Sequence, residues 1–158
     1  MSNPRPRLNY RKLAPALFQA QIDLSNASAN SGLEHSLLHL VRLRASQING
    51  CAYCVDLHTH EARAEGETEQ RLYLVAVWRE SRAFTERERV ALAWTEAVTL
   101  ISQGGVSDAL YDEARAQFSD EELVKLTTAV NVINSWNRLA VAFHSLHPDR
   151  SKGAANPA

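Results

Sequence analysis

Two cysteines and a histidine share one short stretch of this sequence. Cys51, Cys54 and His58 form the pattern C-x-x-C-x-x-x-H. On a helix, residues three and four positions apart share a face, so the three side chains should line one stripe. Two thiols at this spacing can close a disulfide across one turn, and an imidazole can accept a thiol proton or stabilise a thiolate. The pattern therefore indicates thiol–disulfide chemistry.

The position of the cysteines at the start of a helix favours a reactive thiolate. Gly50 interrupts the preceding helical pattern, so Cys51 and Cys54 should fall in the first turn of a new helix. Free amide groups and the helix dipole place partial positive charge there, which lowers a cysteine pKa. A thiolate that attacks a peroxide becomes a sulfenic acid, which a second thiol condenses to a disulfide. We therefore expect reduction of hydroperoxides.

Two other interpretations of the cysteines stay open from the residues alone. The pair could be two small buried side chains without chemistry. It could also supply half of a zinc site, which His35, His39 or His58 would complete. No second C-x-x-C and no H-x-x-x-H follows at zinc-finger spacing. We therefore expect neither a metal nor a cofactor.

Composition and charge narrow the class of protein. The 158 residues carry 17 basic and 18 acidic side chains, without a basic cluster that would bind nucleic acid. No apolar run approaches the ~18 residues of a membrane helix, and the polar amino terminus lacks a signal-peptide core. We expect a cytoplasmic protein, in which paired cysteines indicate redox or metal chemistry rather than a structural bridge.

The segments that position the cysteines are all predicted to be helices. Apolar spacing, glycines and two capping boxes, at Thr85 and Ser119, predict a single all-α domain of about six to seven helices. Residues 1–158 form this domain, with a core of about 13–147 and loose tails at both ends. The predicted helices cover about 33–48, 51–65, 68–78, 85–102, 107–118 and 119–147, the last one stopped by Pro148.

Residues 40–59, LVRLRASQINGCAYCVDLHT, closely resemble the alkylhydroperoxidase-D-like, or carboxymuconolactone decarboxylase-like, family. Residues 88–96 and 134–140 are similar to the same family, and the likeness spans roughly 13–144. The resemblance implies an all-helical fold, a trimer or hexamer, and a disulfide-cycling peroxidase that takes a small-molecule hydroperoxide and a thiol or lipoyl-type reductant. By position, Cys54 would attack the peroxide, Cys51 would resolve the sulfenic acid, and His58 would relay the proton.

One position departs from the family pattern. The best-understood members have a glutamate twelve residues before the first cysteine, where this chain has His39. Antiparallel helices joined at Asn49-Gly50 would put His39, ~15 Å from the turn, at nearly the same height as His58, ~12 Å from it. Glu96 is the second candidate for the missing carboxylate, and we expect it to reach toward Cys54 and His58.

Two alternative functions stay open, of which the family name covers the first. A carboxymuconolactone decarboxylase-like lyase needs a proton donor and acceptor but has no use for a thiol pair. A redox-sensing or zinc-binding oligomer would use the cysteines without turnover. Asn134, Asn137 and Arg138 are expected to form a buried polar network or a subunit contact.

Overall fold

The computed structural model describes residues 5–150, which form eight α-helices and two short 3-10 segments. The α-helices are α1 (Tyr10–Leu13), α2 (Pro15–Ala29), α3 (His35–Ile48), α4 (Ala52–Ala64), α5 (Glu69–Leu74), α6 (Glu86–Thr99), α7 (Asp108–Gln117) and α8 (Asp120–Phe143). The 3-10 segments are Val75–Glu80 and Ile101–Gln103. The all-α prediction is confirmed. Within the described chain, no helix has the length and apolar character needed to cross a membrane.

Helix α3 lies at the centre of the fold and packs against α4, α6 and α8. Apolar side chains on opposite faces of α3 enter two separate cores. One core, between α3, α6, α7 and α8, includes Leu37, Leu38, Val41, Trp94, Phe118, Leu126 and Val130. The other, toward α4, α5 and the first 3-10 segment, includes Leu40, Leu43, Leu72, Trp78 and Leu92. This double burial fixes α3, and with it the start of α4.

The predicted helix starts at Thr85 and Ser119 are confirmed. Each side-chain hydroxyl accepts a hydrogen bond from the backbone N–H three residues later, and the glutamate at that position bonds back to the cap. These reciprocal bonds satisfy amide groups that would otherwise lack partners. The helix ends are less well predicted than the starts.

Two predicted helix boundaries are wrong. The expected helix at 68–78 stops at Leu74 and continues as a 3-10 segment in which Val77 leaves helical geometry. Helix α8 ends at Phe143 rather than near His147, because His144 adopts a left-handed conformation with φ 52°. Its following residue, Ser145, donates its backbone N–H to the Ala140 carbonyl at 2.9 Å, which closes the helix before Pro148 is reached.

The described part of the amino-terminal segment is not a loose tail. Arg7 donates its backbone N–H to the Phe143 carbonyl and a guanidinium N–H to the Ala142 carbonyl, both at 3.0 Å. Tyr10 begins α1 and packs between the rings of Phe18 and Phe143. Residues 1–4 and 151–158, which hold the outer parts of the two expected tails, lie outside the described residues. Tyr10 and Arg11 of this segment line the same pocket as Cys54.

Candidate active site

A tight turn between α3 and α4 places the two cysteines. Gly50 has φ 64°, a conformation that favours glycine, and it lets the chain reverse after Asn49. Cys51 then caps α4, and its sulfur accepts a hydrogen bond from the Cys54 backbone N–H at 3.2 Å. The two sulfurs form a disulfide, with the Cα atoms 5.3 Å apart. The predicted disulfide-competent pair at a helix amino terminus is therefore present.

A buried network of polar side chains holds this turn from behind. Asn49 donates its side-chain N–H groups to the side-chain oxygens of Asn134, at 2.6 Å, and Asn137, at 2.9 Å. Asn137 in turn donates to the Ser46 hydroxyl at 3.0 Å, and Asn134 donates to the Thr99 hydroxyl at 3.1 Å. Each amide therefore meets a partner, which ties the α3–α4 turn to α8 and α6. Of the two expected roles, the structure shows the buried network for Asn134 and Asn137, whereas Arg138 is exposed and takes no part in these bonds.

Removing the centre of this network should destabilise the fold. We expect Asn137→Ala to lower the free energy of unfolding by about 1–3 kcal/mol, because Asn49 and Ser46 lose a buried partner. Denaturant titration of the reduced protein measures the change. Asn131→Ala, at an exposed position of the same helix, is the matched control and should change stability by less than about 0.5 kcal/mol. Equal stability of the two variants would contradict a structural role for the network.

A pocket of about 320 Å³ opens onto the disulfide from one side. The Cys54 side chain lines this pocket and the Cys51 side chain does not, although both cysteines are at most 3% exposed. Aromatic and aliphatic side chains supply most of the wall: Tyr10, Phe18, Ile22, Tyr53, Leu57, Val132 and Trp136. The pocket therefore gives a small apolar molecule access to Cys54.

His58 lies on the same wall and is paired with a carboxylate. Its Nδ1 is 3.0 Å from Oε2 of Glu61, one turn further along α4. Burial lowers the pKa of His58, and the contact with Glu61 offsets part of this effect. The same contact lowers the pKa of Glu61, so the pair is a neutral imidazole donating Nδ1–H to an ionised carboxylate near pH 7. That tautomer leaves Nε2 free to accept a proton.

Sequence analysis missed Glu61, although its spacing could have revealed it. Positions 51, 54, 58 and 61 alternate by three and four and so share one face of α4. One more turn along the stripe of Cys51, Cys54 and His58 leads to Glu61. Glu61, and not Glu96, is the carboxylate beside His58.

Glu96 does not lie in this pocket. Its carboxylate accepts hydrogen bonds from Nε of Arg44 at 2.7 Å and from the indole N–H of Trp78 at 2.9 Å, and it also pairs with Arg79. These partners come from α3 and the first 3-10 segment, and Glu96 faces a separate surface depression. The expectation that Glu96 reaches Cys54 and His58 is therefore wrong.

His39 lies near His58, buried between α3 and α4. Its side chain is 5% exposed, and its charge when protonated would lower the pKa of His58. Nε2 of His39 is 3.1 Å from Oε2 of Glu65, an ion-pair distance without hydrogen-bond geometry. Nδ1 of the exposed His35 is 3.5 Å from the same carboxylate oxygen. Glu65 thus links the buried His39 to the exposed His35.

No metal site accompanies these residues. Among the described residues, no group of three or more histidine, cysteine, aspartate or glutamate side chains is arranged to hold a metal ion.

The fold and the site together define an all-helical protein with a C-x-x-C disulfide at a helix amino terminus. The model of the carboxymuconolactone decarboxylase family matches residues 15–97, and the chain belongs to this family, which includes the AhpD-like proteins. It is 38% identical to YdfG of Bacillus subtilis, an uncharacterised protein, over 86% of this chain and 92% of that protein.

Two solved structures are informative about the fold. A protein of unknown function from Agrobacterium tumefaciens, described as a candidate antioxidant defence protein AhpD, is 51% identical with a TM-score of 0.89. The match covers 91% of this chain and 99% of that one. The debrominase Bmp8, in complex with 2,3,4-tribromopyrrole, has the same fold at 19% identity, with a TM-score of 0.79 over 90% of this chain and 76% of that one.

Proposed function

We propose that this protein is a thiol-dependent peroxidase that reduces organic hydroperoxides through a Cys51–Cys54 disulfide cycle. The observation that carries the proposal is the asymmetry of the disulfide, because Cys54 faces the apolar pocket beside His58 while Cys51 lies behind it. An incoming peroxide thus meets Cys54 first. The family membership and the AhpD-like relatives add support at the level of peroxide-related chemistry.

The proposed cycle uses Cys54 and His58, which line the pocket, and Cys51, which is bonded to Cys54. Nε2 of His58 takes the Cys54 thiol proton, and the thiolate attacks the outer oxygen of the hydroperoxide. The O–O bond breaks, the alkoxide takes the proton back from His58 and leaves as an alcohol, and Cys54 becomes a sulfenic acid. The Cys51 thiol then attacks the Cys54 sulfur, which forms the disulfide and releases water.

A dithiol reductant completes the balance. One of its thiolates attacks Cys54, the sulfur that faces the pocket, and Cys51 leaves as a thiolate. The Cys54 backbone N–H points at the Cys51 sulfur at 3.2 Å, and the amino end of α4 adds partial positive charge, so this leaving group is stabilised. The second thiol of the reductant then attacks the reductant sulfur of the mixed disulfide. This step forms the reductant's own disulfide and releases Cys54 as a thiol. A lipoyl-type dithiol has the required chemistry.

His39 and Glu65 form the outer part of the proton relay in this proposal. Oε2 of Glu65 is 3.1 Å from Nε2 of His39 and 3.5 Å from Nδ1 of the exposed His35, and these contacts suit a path that exchanges protons with solvent. His39 would thereby replace the glutamate that the family pattern has at its position. Glu61 would orient His58 and has no part in the proton path through His39 and Glu65.

Self-association into a trimer or hexamer belongs to the same proposal. Leu13 and Leu17 are 68% and 76% exposed, and they lie on an apolar face with Leu8, Leu24, Leu139 and Phe143. A second copy of the chain covering this face would remove a large apolar area from water. We propose a cytoplasmic homo-oligomer.

Stoichiometric oxidation tests the proposed function. Reduced protein mixed with one equivalent of cumene hydroperoxide should lose two hydrogens, as read by intact-mass spectrometry, and release 2-phenylpropan-2-ol in equal amount. Alkylation of the remaining thiols should show that both cysteines react together. A small dithiol of ordinary pKa serves as the reference. If the protein thiols are still free when this dithiol is already oxidised, the proposal is overturned.

A further inference from the structure

One arginine of the pocket wall, Arg42, makes no direct contact with an anionic side chain of residues 5–150. Arg42 lies on α3, and its side chain lines the same pocket as Cys54. Within residues 5–150, no carboxylate oxygen lies within 4 Å of its guanidinium nitrogens, and the guanidinium makes no hydrogen bond. By contrast, Arg71 and Arg87 each bind two glutamates. Burial lowers the pKa of Arg42, although an arginine stays charged at any physiological pH.

The charges around the pocket leave an excess of positive charge. Its wall carries two arginines, Arg11 and Arg42, and one carboxylate, that of Glu61. Glu61 is already bound to His58, and Glu65, which also attracts Arg42, lies outside the lining. A partly desolvated guanidinium without a direct partner is costly unless a ligand supplies the anion. A planar carboxylate fits its paired N–H groups best.

We propose that Arg42 is a specificity-determining residue, which binds the carboxylate of an anionic, mainly apolar hydroperoxide. The inference rests on the proposed peroxidase function. The apolar wall takes the body of the molecule and Arg42 takes its acid group, while the hydroperoxide end reaches Cys54. The volume of about 320 Å³ corresponds to roughly ten water-sized groups, which is the size of a substituted aryl or medium-chain acid.

Equilibrium binding tests the acid site without any turnover. The probes are 4-isopropylbenzoate and its neutral isostere, 4-isopropylbenzamide, added to the oxidised protein at pH 7 and followed by calorimetry. We expect the acid to bind at least about tenfold more tightly than the amide, and Arg42→Gln to remove this preference. Arg42→Lys, which keeps the charge, should retain part of it.

Arg82→Gln is the matched control, because Arg82 is exposed and outside the pocket, and the variant changes the net charge equally. It should bind both probes as the wild type does. Circular dichroism of every variant verifies folding, and Arg42→Lys keeps the test valid if Arg42→Gln does not fold. Equal binding of acid and amide by the wild type, or an acid preference that survives in folded Arg42→Gln, would overturn the proposal.

Kinetics separate this inference from the proposed function. Single-turnover thiol oxidation is compared for cumene hydroperoxide and its 4-carboxy derivative. We expect Arg42→Gln to slow only the carboxylated peroxide, by about tenfold or more at concentrations below saturation. An equal slowing of both peroxides would assign Arg42 to activation of Cys54 and overturn the specificity role. Acid binding that needs Arg42, with no thiol oxidation by either peroxide, would keep the acid site and reject the peroxidase.

Discussion

Cys54→Ser should abolish hydroperoxide reduction, with a loss of at least about a thousand-fold in single-turnover rate. A serine hydroxyl at this position is a poor nucleophile toward an O–O bond, and the remaining Cys51 sulfur does not line the pocket. The measurement is consumption of cumene hydroperoxide by the reduced variant, followed together with the mass of the protein. The mass should stay unchanged, whereas the wild type should lose two hydrogens.

Cys51→Ser is the matched control and should behave differently. Its Cys54 thiol keeps the pocket and His58, so it should react once and add a single oxygen as sulfenic acid, which dimedone traps. Without a resolving thiol, a second turnover with a dithiol reductant should be slow. Dimedone labelling of Cys54→Ser but not of Cys51→Ser would reverse the two roles and contradict the proposed mechanism.

The contrast between the two cysteines shows where sequence information stops. The pattern at Cys51, Cys54 and His58 predicts a shared helix face, and the turn at Gly50 predicts where the helix begins; both depend on local geometry. Which sulfur meets the substrate depends on α2 and α8, whose side chains form the opposite wall. Those contacts are distant in sequence, so from the sequence alone only the resemblance to the family suggested which cysteine would attack.

The two carboxylates illustrate the same limit. Glu61 was within reach of a sequence argument, since it extends the stripe on α4 by one turn. Glu96 was not, because the partners that hold it, Arg44 and Trp78, come from separate elements. Helical periodicity predicts which face of a helix a side chain lies on, but it does not predict which residues of other elements that side chain contacts. The end of α8 at His144 could not be predicted from the sequence either. His144 adopts a left-handed conformation, and most helix ends of this kind use glycine.

His58→Gln should have the second largest effect, a loss of about 10²–10⁴ in the rate of thiol oxidation at pH 7. Glutamine keeps the size and polarity of the side chain but cannot accept the Cys54 proton. Glu61→Gln should cost less, because its amide oxygen can still accept Nδ1–H. The measurement is the single-turnover rate with cumene hydroperoxide between acidic and neutral pH, and an unchanged rate in His58→Gln would contradict a relay through this imidazole.

The pH dependence of the same variants tests whether His58 is a buried neutral base. Burial lowers the pKa of His58 in the native state. As the pH falls, the imidazole in the unfolded chain is therefore protonated at about pH 6.5, whereas the native imidazole is protonated only at lower pH. Stability of the wild type should therefore fall as the pH drops below about 6.5, and His58→Gln should lack that part of the fall. Because the Glu61 contact raises the pKa of His58, Glu61→Gln should lower it further and move the acidic limb of the rate profile to lower pH. If the acidic limb of the Glu61→Gln profile moves to higher pH instead, Glu61 is not the hydrogen-bond acceptor for His58. Another group would then have to orient the imidazole so that its reactive nitrogen faces Cys54.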